Sequence, residues 1–134
     1  MLKPSMCANT ESTVSYRQER IVSSDSLQVD VTWYTSTVEE CDSTPFITAD
    51  GTRVRDGIVA VSDDLLQTFE YGDSLYIESF GWFEVRDCMN SRWKHRIDIW
   101  CGDRVVALNN GIQEKHIYWN FREDIVYVAE NGKQ

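Results

Sequence analysis

Two aspartates, Asp87 and Asp98, lie eleven residues apart, and each is attached to a short strand-like run. Asp87 follows the run Trp82–Arg86, and Asp98 interrupts the apolar run Ile97–Cys101. A carboxylate among apolar side chains is costly to bury as a charge unless it is paired, hydrogen-bonded or protonated. A carboxyl group with a raised pKa can act as a general acid near neutral pH. Asp98 is therefore a candidate general acid, with Asp87 as its neighbour.

A simpler strand also explains the pattern around Asp98. If Ile97 and Ile99 point into a core, alternation along the strand turns the carboxylate toward water, where most charged side chains lie. The alternation by itself favours this arrangement. The residue pattern alone therefore leaves the chemical role of Asp98 open.

Composition restricts the class of protein. The 134 residues are 42% apolar and include 5 Trp, 6 Tyr and 5 Phe, which indicates one globular domain with a core. Twenty-two acidic against thirteen basic residues give a net charge of −9, a poor match for binding nucleic acid or an anionic membrane surface. No run approaches membrane-spanning length, and no apolar signal-peptide core is visible. We expect neither a nucleic-acid partner nor a membrane span.

Cysteines and histidines give no metal signature. The chain has four cysteines: Cys7, Cys41, Cys88 and Cys101. They allow three disulfide pairings, and four free thiols are equally compatible with the sequence. No Cys-x-x-Cys pair is present, and the two histidines lack ligand spacing with the aspartates. We therefore predict no metal and no other cofactor.

Short strands separated by turns surround the two aspartates. Leu27–Ser36 alternates apolar and polar side chains, which predicts a strand with Thr32 and Tyr34 on its polar face. Ile58–Val61 is a short buried strand, and Asp124–Ala129 is a closing strand. This pattern is typical of a mainly β fold built as a small barrel.

The remaining segments predict a tail and one or two short helices. Residues 1–26 are rich in Ser, Thr and charge and are predicted as an N-terminal tail or arm, so that the barrel domain spans 27–130. Ser62 followed by two aspartates predicts the start of a short helix over Asp63–Phe69. The segment Gln113–Phe121 is ambiguous and is predicted as a helical turn.

Four motifs together resemble the three-aspartate (3D) domain, the barrel module of membrane-bound lytic transglycosylase A and related muralytic enzymes. The resemblance covers about residues 29–129, and the eleven-residue spacing of the aspartates is its most specific part. The motifs are Thr48–Thr52, Val59–Ser62, Asp87–Asn90 and Arg96–Trp100.

The resemblance implies a fold and an activity. The fold is a small six-stranded double-psi β-barrel, and the activity is that of a peptidoglycan lytic transglycosylase. Such an enzyme cleaves the β-1,4 bond between N-acetylmuramic acid and N-acetylglucosamine without water and leaves a 1,6-anhydro end. By this resemblance Asp98 is the single general acid/base, Asp87 the supporting carboxylate, and Thr48 a hydrogen-bond donor at the edge of the site. Asp50, which has no strict counterpart in the family, is a further candidate for binding substrate.

The same resemblance implies where and with what the protein acts. Its partner is the peptidoglycan glycan strand. Its location is the cell envelope, periplasmic or extracellular, or a phage particle. Separately from the resemblance, we expect a monomer that needs no cofactor.

Two departures from the family pattern suggest an alternative function. Ser62 stands where the family has its first aspartate, and Met89-Asn90 replaces a Gly-Gly pair. The same barrel could then be a non-catalytic envelope-glycan-binding or phage structural module. A third possibility is a conventional glycosidase that uses Asp87 and Asp98 as a pair of carboxyl groups.

The connector between the aspartates is polar and basic. Arg92 and Lys94 are candidates for binding carboxylate or acetamido groups of a glycan, and Trp93 is a candidate platform for a sugar ring. A solvated basic loop that offsets an acidic chain explains the same residues. Both interpretations stay open at the level of sequence.

Overall fold

The computed structural model describes residues 13–36 and 46–130, in which six strands form one closed barrel. The strand order around the barrel is β1-β5-β2-β4-β3-β6. The strands are β1 (Ser15–Tyr34), β2 (Ile58–Val61), β3 (Ser74–Ile77), β4 (Gly81–Cys88), β5 (Arg96–Trp100) and β6 (Gln113–Glu130). A 3-10 helix spans Asp63–Gln67, and an α-helix spans Arg104–Asn110.

Four of the five pairs of consecutive strands are separated in the barrel by a third strand, and two of these pairs, β1/β2 and β4/β5, interlock. β5 lies between β1 and β2; it runs parallel to β1 and antiparallel to β2. β2 in turn lies between β4 and β5; it runs parallel to β4 and antiparallel to β5. Each arrangement is a psi connection, and the two share strands β2 and β5. The prediction of a mainly β, six-stranded double-psi barrel with short helices is confirmed.

The barrel core is filled by one alternating set of side chains from each strand. Branched aliphatic residues dominate this set because they pack well on a pleated surface. Phe69 and Trp119 meet edge to face, with ring centroids 4.9 Å apart, beside the same core. The buried core residues include Val29, Val31, Val59, Val61, Leu75, Ile77, Val85, Ile97, Ile99 and Ile117. The set on the opposite strand faces is thereby left to build a site outside this core, although two of its members, Thr32 and Ala60, are themselves buried.

Helix predictions are confirmed in part. The predicted helix after Ser62 exists as the 3-10 helix Asp63–Gln67, which ends before Phe69, and Ser62 does not cap it through its side chain. The predicted helical turn over Gln113–Phe121 is wrong, because these residues belong to β6. Pairing with β3 places Ile117 in the core, and this tertiary burial outweighs an ambiguous local preference.

The described residues group into two compact units, one of 24–120 and one formed by 13–23 with 121–130. Strand β1 begins at Ser15, so the latter part of the predicted tail, 1–26, is a strand. Residues 1–12 lie outside the described part of the chain. Within 13–36 and 46–130, no helix combines the length and apolar character needed to cross a bilayer.

The two described cysteines, Cys88 and Cys101, are both free thiols. Cys88 ends β4 and Cys101 follows β5, and these two strands are separated by β2, so the cysteines do not face each other across a strand pair. Cys7 and Cys41 lie outside the described residues.

Candidate active site around Asp98

A row of four residues crosses four neighbouring strands and carries both aspartates. Thr32 of β1 lies opposite Asp98 of β5, and Asp98 lies opposite Ala60 of β2. Ala60 lies opposite Asp87 of β4. Because the flanking isoleucines of β5 fill the core, the row faces outward. The two aspartates therefore flank a single small methyl group, about 10 Å apart at their Cα atoms, which is two strand spacings.

A bulge in β4 aims Asp87 toward this row. Val59 pairs with Val85, but the next residue of β2, Ala60, pairs with Asp87, so Arg86 is the extra residue. Without that extra residue Ala60 would pair with Arg86, and Asp87 would turn to the opposite face of the strand. The bulge therefore determines that both carboxyl groups share one face.

Asp98 lies in a half-buried position with one engaged oxygen. Thr32 donates a hydrogen bond to Oδ1 of Asp98, and Arg96 Nε donates to the same Thr32 hydroxyl at 3.3 Å. Among the described residues no hydrogen bond engages Oδ2. Burial raises the pKa of Asp98 above its ordinary value, and the charge of Asp87 acts in the same direction. Thr32 and the charge of Arg96 lower this pKa but do not cancel the effect of burial.

Asp87 has both carboxylate oxygens engaged. Its Oδ1 accepts hydrogen bonds from the backbone amides of Ala49 and Cys88, each at 2.9 Å. Its Oδ2 accepts a hydrogen bond from the Tyr34 hydroxyl at 3.1 Å. Three donors therefore fix this carboxylate in place. The two aspartates therefore differ in environment. Asp87 accepts hydrogen bonds on both oxygens, whereas Oδ2 of Asp98 accepts none from the described residues.

The turn Thr48–Thr52 is fastened to β4 beside Asp87. Burial opposes ionisation of Asp50, but hydrogen bonds from Thr48, Thr52 and Arg86 outweigh it and hold the pKa of Asp50 well below its ordinary value. Oδ1 accepts from the hydroxyls of Thr48 and Thr52 at 2.5 and 2.6 Å, and Oδ2 accepts from Arg86 Nη1 at 3.0 Å. Thr48 and Asp50, both predicted to bind substrate, here hold the turn itself together.

Replacing Asp50 with alanine is expected to lower the free energy of unfolding at pH 7 by about 1.5–3 kcal/mol, the usual range for hydrogen bonds to a charged group. The folded-state pKa of Asp50 is depressed, so its contribution is complete above the unfolded value of about 3.9 and is lost as the pH falls below it. Urea unfolding at pH 7 and at about pH 3 should therefore show a smaller difference from wild type in acid.

A matched control for that experiment is Asp56→Ala, which removes an exposed aspartate from the adjacent turn. This control should change stability by less than about 0.5 kcal/mol at either pH. An equal loss for Asp50→Ala at both pH values would contradict the role assigned to its charge.

The basic connector carries an aromatic ring that is linked to Asp98 through other side chains. The guanidinium groups of Arg92 and Arg96 lie 4.8 and 3.9 Å from the centroid of the Trp93 ring. Because Arg96 also contacts Thr32, the Trp93 ring is connected to the Asp98 carboxyl through two side chains. Of the three predicted connector residues, Trp93 and Arg92 belong to this stack. Lys94 is exposed in the same connector.

A buried serine, Ser62, lies at the position where the resemblance to the three-aspartate domain leads us to expect an aspartate. Ser62 Oγ accepts a hydrogen bond from the Arg96 amide at 3.1 Å, and its hydroxyl interacts with Asp64. Asp64 also accepts from the His95 amide at 3.0 Å, so it helps to anchor the connector. Neither of the aspartates that follow Ser62 in sequence replaces a third carboxylate in the row of Asp98 and Asp87. Across residues 13–36 and 46–130, no cluster of His, Cys, Asp or Glu offers a metal site.

Two residues of the site were not among the predicted site residues. Thr32 and Tyr34 contact Asp98 and Asp87 respectively, and both come from β1. Their sequence signal was their place on the polar side of an alternating strand. Which carboxyl groups they meet depends on the parallel pairing of β1 with β5, a contact over more than sixty residues of chain.

Comparison with known proteins adds no relative: no protein-family model and no curated protein matches this chain. The resemblance to the three-aspartate domain therefore continues to rest on the motifs and their spacing.

Proposed function

We propose that this barrel is a peptidoglycan lytic transglycosylase in which Asp98 serves as the only general acid and base. The observation that carries the proposal is the contrast between the two aspartates of one row. Asp98 is half-buried, has a raised pKa and has no described donor on Oδ2, so its proton can be given to a substrate. Asp87 is held on both oxygens.

The proposed reaction needs only that one carboxyl group. Protonated Asp98 gives its proton to the glycosidic oxygen as the bond from that oxygen to C1 of N-acetylmuramic acid breaks. The oxygen of the C6 hydroxyl of the same sugar then bonds to C1 and releases its proton to the Asp98 carboxylate. The products are a 1,6-anhydro end and a free 4-hydroxyl. No water is consumed, and Asp98 ends the cycle protonated.

A conventional glycosidase pair fits this site less well. In a retaining enzyme the second carboxylate attacks C1, and in an inverting enzyme it activates water. Either role requires a carboxylate oxygen that is free to reach the reacting atoms. The hydrogen bonds from Ala49, Cys88 and Tyr34 occupy both oxygens of Asp87, so they favour a positioning role for this residue.

Substrate contacts are proposed for the connector beside Asp98. The Arg92–Trp93–Arg96 stack presents cationic groups and an aromatic ring, which suit the lactyl or peptide carboxylates and the sugar faces of a glycan strand. Thr48 and Asp50 contribute to the site indirectly. Their turn positions the backbone amide of Ala49, which donates a hydrogen bond to Asp87. We propose accordingly that the protein acts in the cell envelope or as part of a phage.

A second candidate, favoured by Ser62, is a binding module on the same barrel. Ser62 stands at the place of a family carboxylate and is committed to the Arg96 amide. The connector could then retain glycan without cleavage. Binding alone would leave the glycan intact and would not require Asp98 to change protonation.

The test is mass spectrometry of the soluble products after the protein is incubated with purified peptidoglycan. The proposal expects 1,6-anhydro muropeptides that accumulate with time. Reducing ends in their place would identify water as the nucleophile and reject the transglycosylase. Co-sedimentation with intact peptidoglycan and no soluble product would leave only the binding module.

A further inference from the structure

The unit formed by Ser15–Ser23 and Phe121–Glu130 is a two-stranded ribbon with one strongly apolar face. Two ion pairs cross between its strands: Arg20 with Glu123 at 3.0 Å and Arg17 with Glu130 at 3.2 Å. The residue number of the paired side chain rises from 17 to 20 in β1 and falls from 130 to 123 in β6, so the two strands are antiparallel. Side chains alternate between the two faces of a strand, which makes it possible to assign each residue to a face.

The face that carries the Arg20–Glu123 pair also carries five large apolar side chains. Arg20 shares its face with the even-numbered residues of β1, and Glu123 shares its face with the odd-numbered residues of β6. The exposed fractions of the five residues range from 46% to 69%. They are Tyr16, Val22, Phe121, Ile125 and Tyr127. We call this surface the tyrosine face.

The tyrosine face is as large as the largest apolar patch of a typical monomer, a size at which such patches are often functional. With aromatic side chains contributing 150–250 Å² when fully exposed, the five residues present roughly 600 Å² of apolar surface. A two-stranded ribbon is also only marginally stable in water without a further layer packed on it.

The distribution of charge favours a second copy of this chain as the partner. The chain has a net charge of −9, which opposes association of two copies in general. The ribbon is the exception, because its nineteen residues carry three arginines and four carboxylates and hence only −1. Its central ion pair is self-complementary: under a two-fold axis, Arg20 of one copy can meet Glu123 of the other.

We propose that the tyrosine face is a homodimer interface, in which two ribbons stack face to face as a closed, two-fold pair. Each copy would contribute roughly 600 Å², compared with about 800 Å² per partner in a standard stable interface. The expectation from sequence was a monomer, and the net charge of the whole chain does not show that the ribbon is nearly neutral. The dimer does not depend on the proposed activity of the barrel.

The two isoleucines of the ribbon provide a matched pair of variants. Ile125 lies on the tyrosine face and is 47% exposed, whereas Ile21 lies on the opposite face and is 46% exposed. Replacing either with lysine adds one charge at nearly equal exposure. Ile125→Lys would place that charge inside the interface, where it is costly to bury without a partner, and Ile21→Lys would leave it in solvent.

Sedimentation equilibrium and light scattering on the full chain, from about 1 to 200 μM, test the proposal. We expect wild type at twice the chain mass of 15.6 kDa, an increase of at least about 100-fold in the dimer dissociation constant for Ile125→Lys, and less than threefold for Ile21→Lys. Tyr127→Ser, a milder change on the same face, should also weaken the dimer. Circular dichroism establishes that each variant is folded.

Several outcomes would overturn the proposal. A monomer at every concentration means that the tyrosine face is covered from within the chain or left open. Equal effects of Ile125→Lys and Ile21→Lys mean that the interface is not on this face. Loss of the dimer in Leu108→Ser, at the exposed apolar helix Arg104–Asn110, would move the interface to that helix. Masses that grow beyond two chains exclude a closed pair.

Discussion

Asp98→Asn is expected to abolish the release of 1,6-anhydro muropeptides, with a loss of about 10⁴-fold in rate. Asparagine keeps the size of the side chain and can still accept the hydrogen bond from Thr32 at its oxygen. It cannot donate a proton to the glycosidic oxygen or accept one from the C6 hydroxyl. Since the proposed reaction uses one carboxyl group for both transfers, no other described residue of the row replaces it.

The same variant should be more stable than wild type at neutral pH. The folded-state pKa of Asp98 is raised, so the folded protein favours the protonated carboxyl and is destabilised as the pH rises above the unfolded value of about 3.9. Asparagine does not ionise, so it avoids this cost. Thermal melts should show the gain at pH 7, and the gain should shrink as the pH falls to about 4.

Together, the two measurements distinguish a catalytic residue from a structural one. Loss of activity combined with a higher melting temperature is the signature of a carboxyl group that is kept in the site for its chemistry. Asp124→Asn, at an exposed strand position, is the control and should change neither property. Retention of full activity in Asp98→Asn would reject the transglycosylase mechanism.

Strand alternation predicted which side chains of β1 face outward, but pairing between distant strands built the site. Val29 and Val31 lie in the core as their pattern indicated, and Thr32 and Tyr34 lie on the other face. The sequence contains no local signal for the strand that lies next to β1. Its parallel partner β5 is more than sixty residues away, so the contact between Thr32 and Asp98 could not be predicted from either segment.

The spacing of Asp87 and Asp98 predicted their proximity only through the family resemblance. Physically the two residues come together because β4 and β5 both pair with β2, one parallel and one antiparallel. The bulge at Arg86 is also required, and no glycine in β4 marks that position. The resemblance led to the prediction that these two residues lie close together, and the physical reason for their convergence lies in long-range pairing.

The turn Thr48–Thr52, in contrast, is a feature that the local sequence does predict. Asp50-Gly51 marks a tight turn from sequence alone, and Gly51 adopts a φ of +87°, which a glycine accepts without strain. The partner of Asp50, however, is Arg86, the residue displaced by the bulge in β4. Local chemistry predicted the turn, whereas the tertiary contact that fastens it to β4 through Asp50 could not be predicted from the local sequence.

The bulge, the turn and Asp87 form one connected support for Asp98. Arg86 is the bulge residue that binds Asp50, and the turn containing Asp50 supplies the Ala49 amide to Asp87. Asp87 then contributes its charge to the environment of Asp98, where it acts with burial to raise the pKa. A change in this support should therefore be detectable in the pH dependence of catalysis.

Asp87→Asn is expected to move the alkaline limb of the pH profile of kcat/KM to lower pH. The general acid must be protonated in the free enzyme, so activity falls as the pH rises through the pKa of Asp98. The charge of Asp87 helps to raise that pKa, and removing the charge lowers it. At pH 7 the rate should also fall by up to about 10²-fold, since the site loses a positioning group as well.

Tyr34→Phe is the matched control that separates the shift of the alkaline limb from the loss of rate. It removes the hydrogen bond to Oδ2 of Asp87 but leaves the carboxylate in place, so the alkaline limb should stay close to that of wild type while the rate falls modestly. If Asp87→Asn lowers the rate without moving the limb, Asp87 acts by geometry alone. If both variants move the limb equally, the hydrogen bond from Tyr34, and not the charge of Asp87, controls the proton of Asp98.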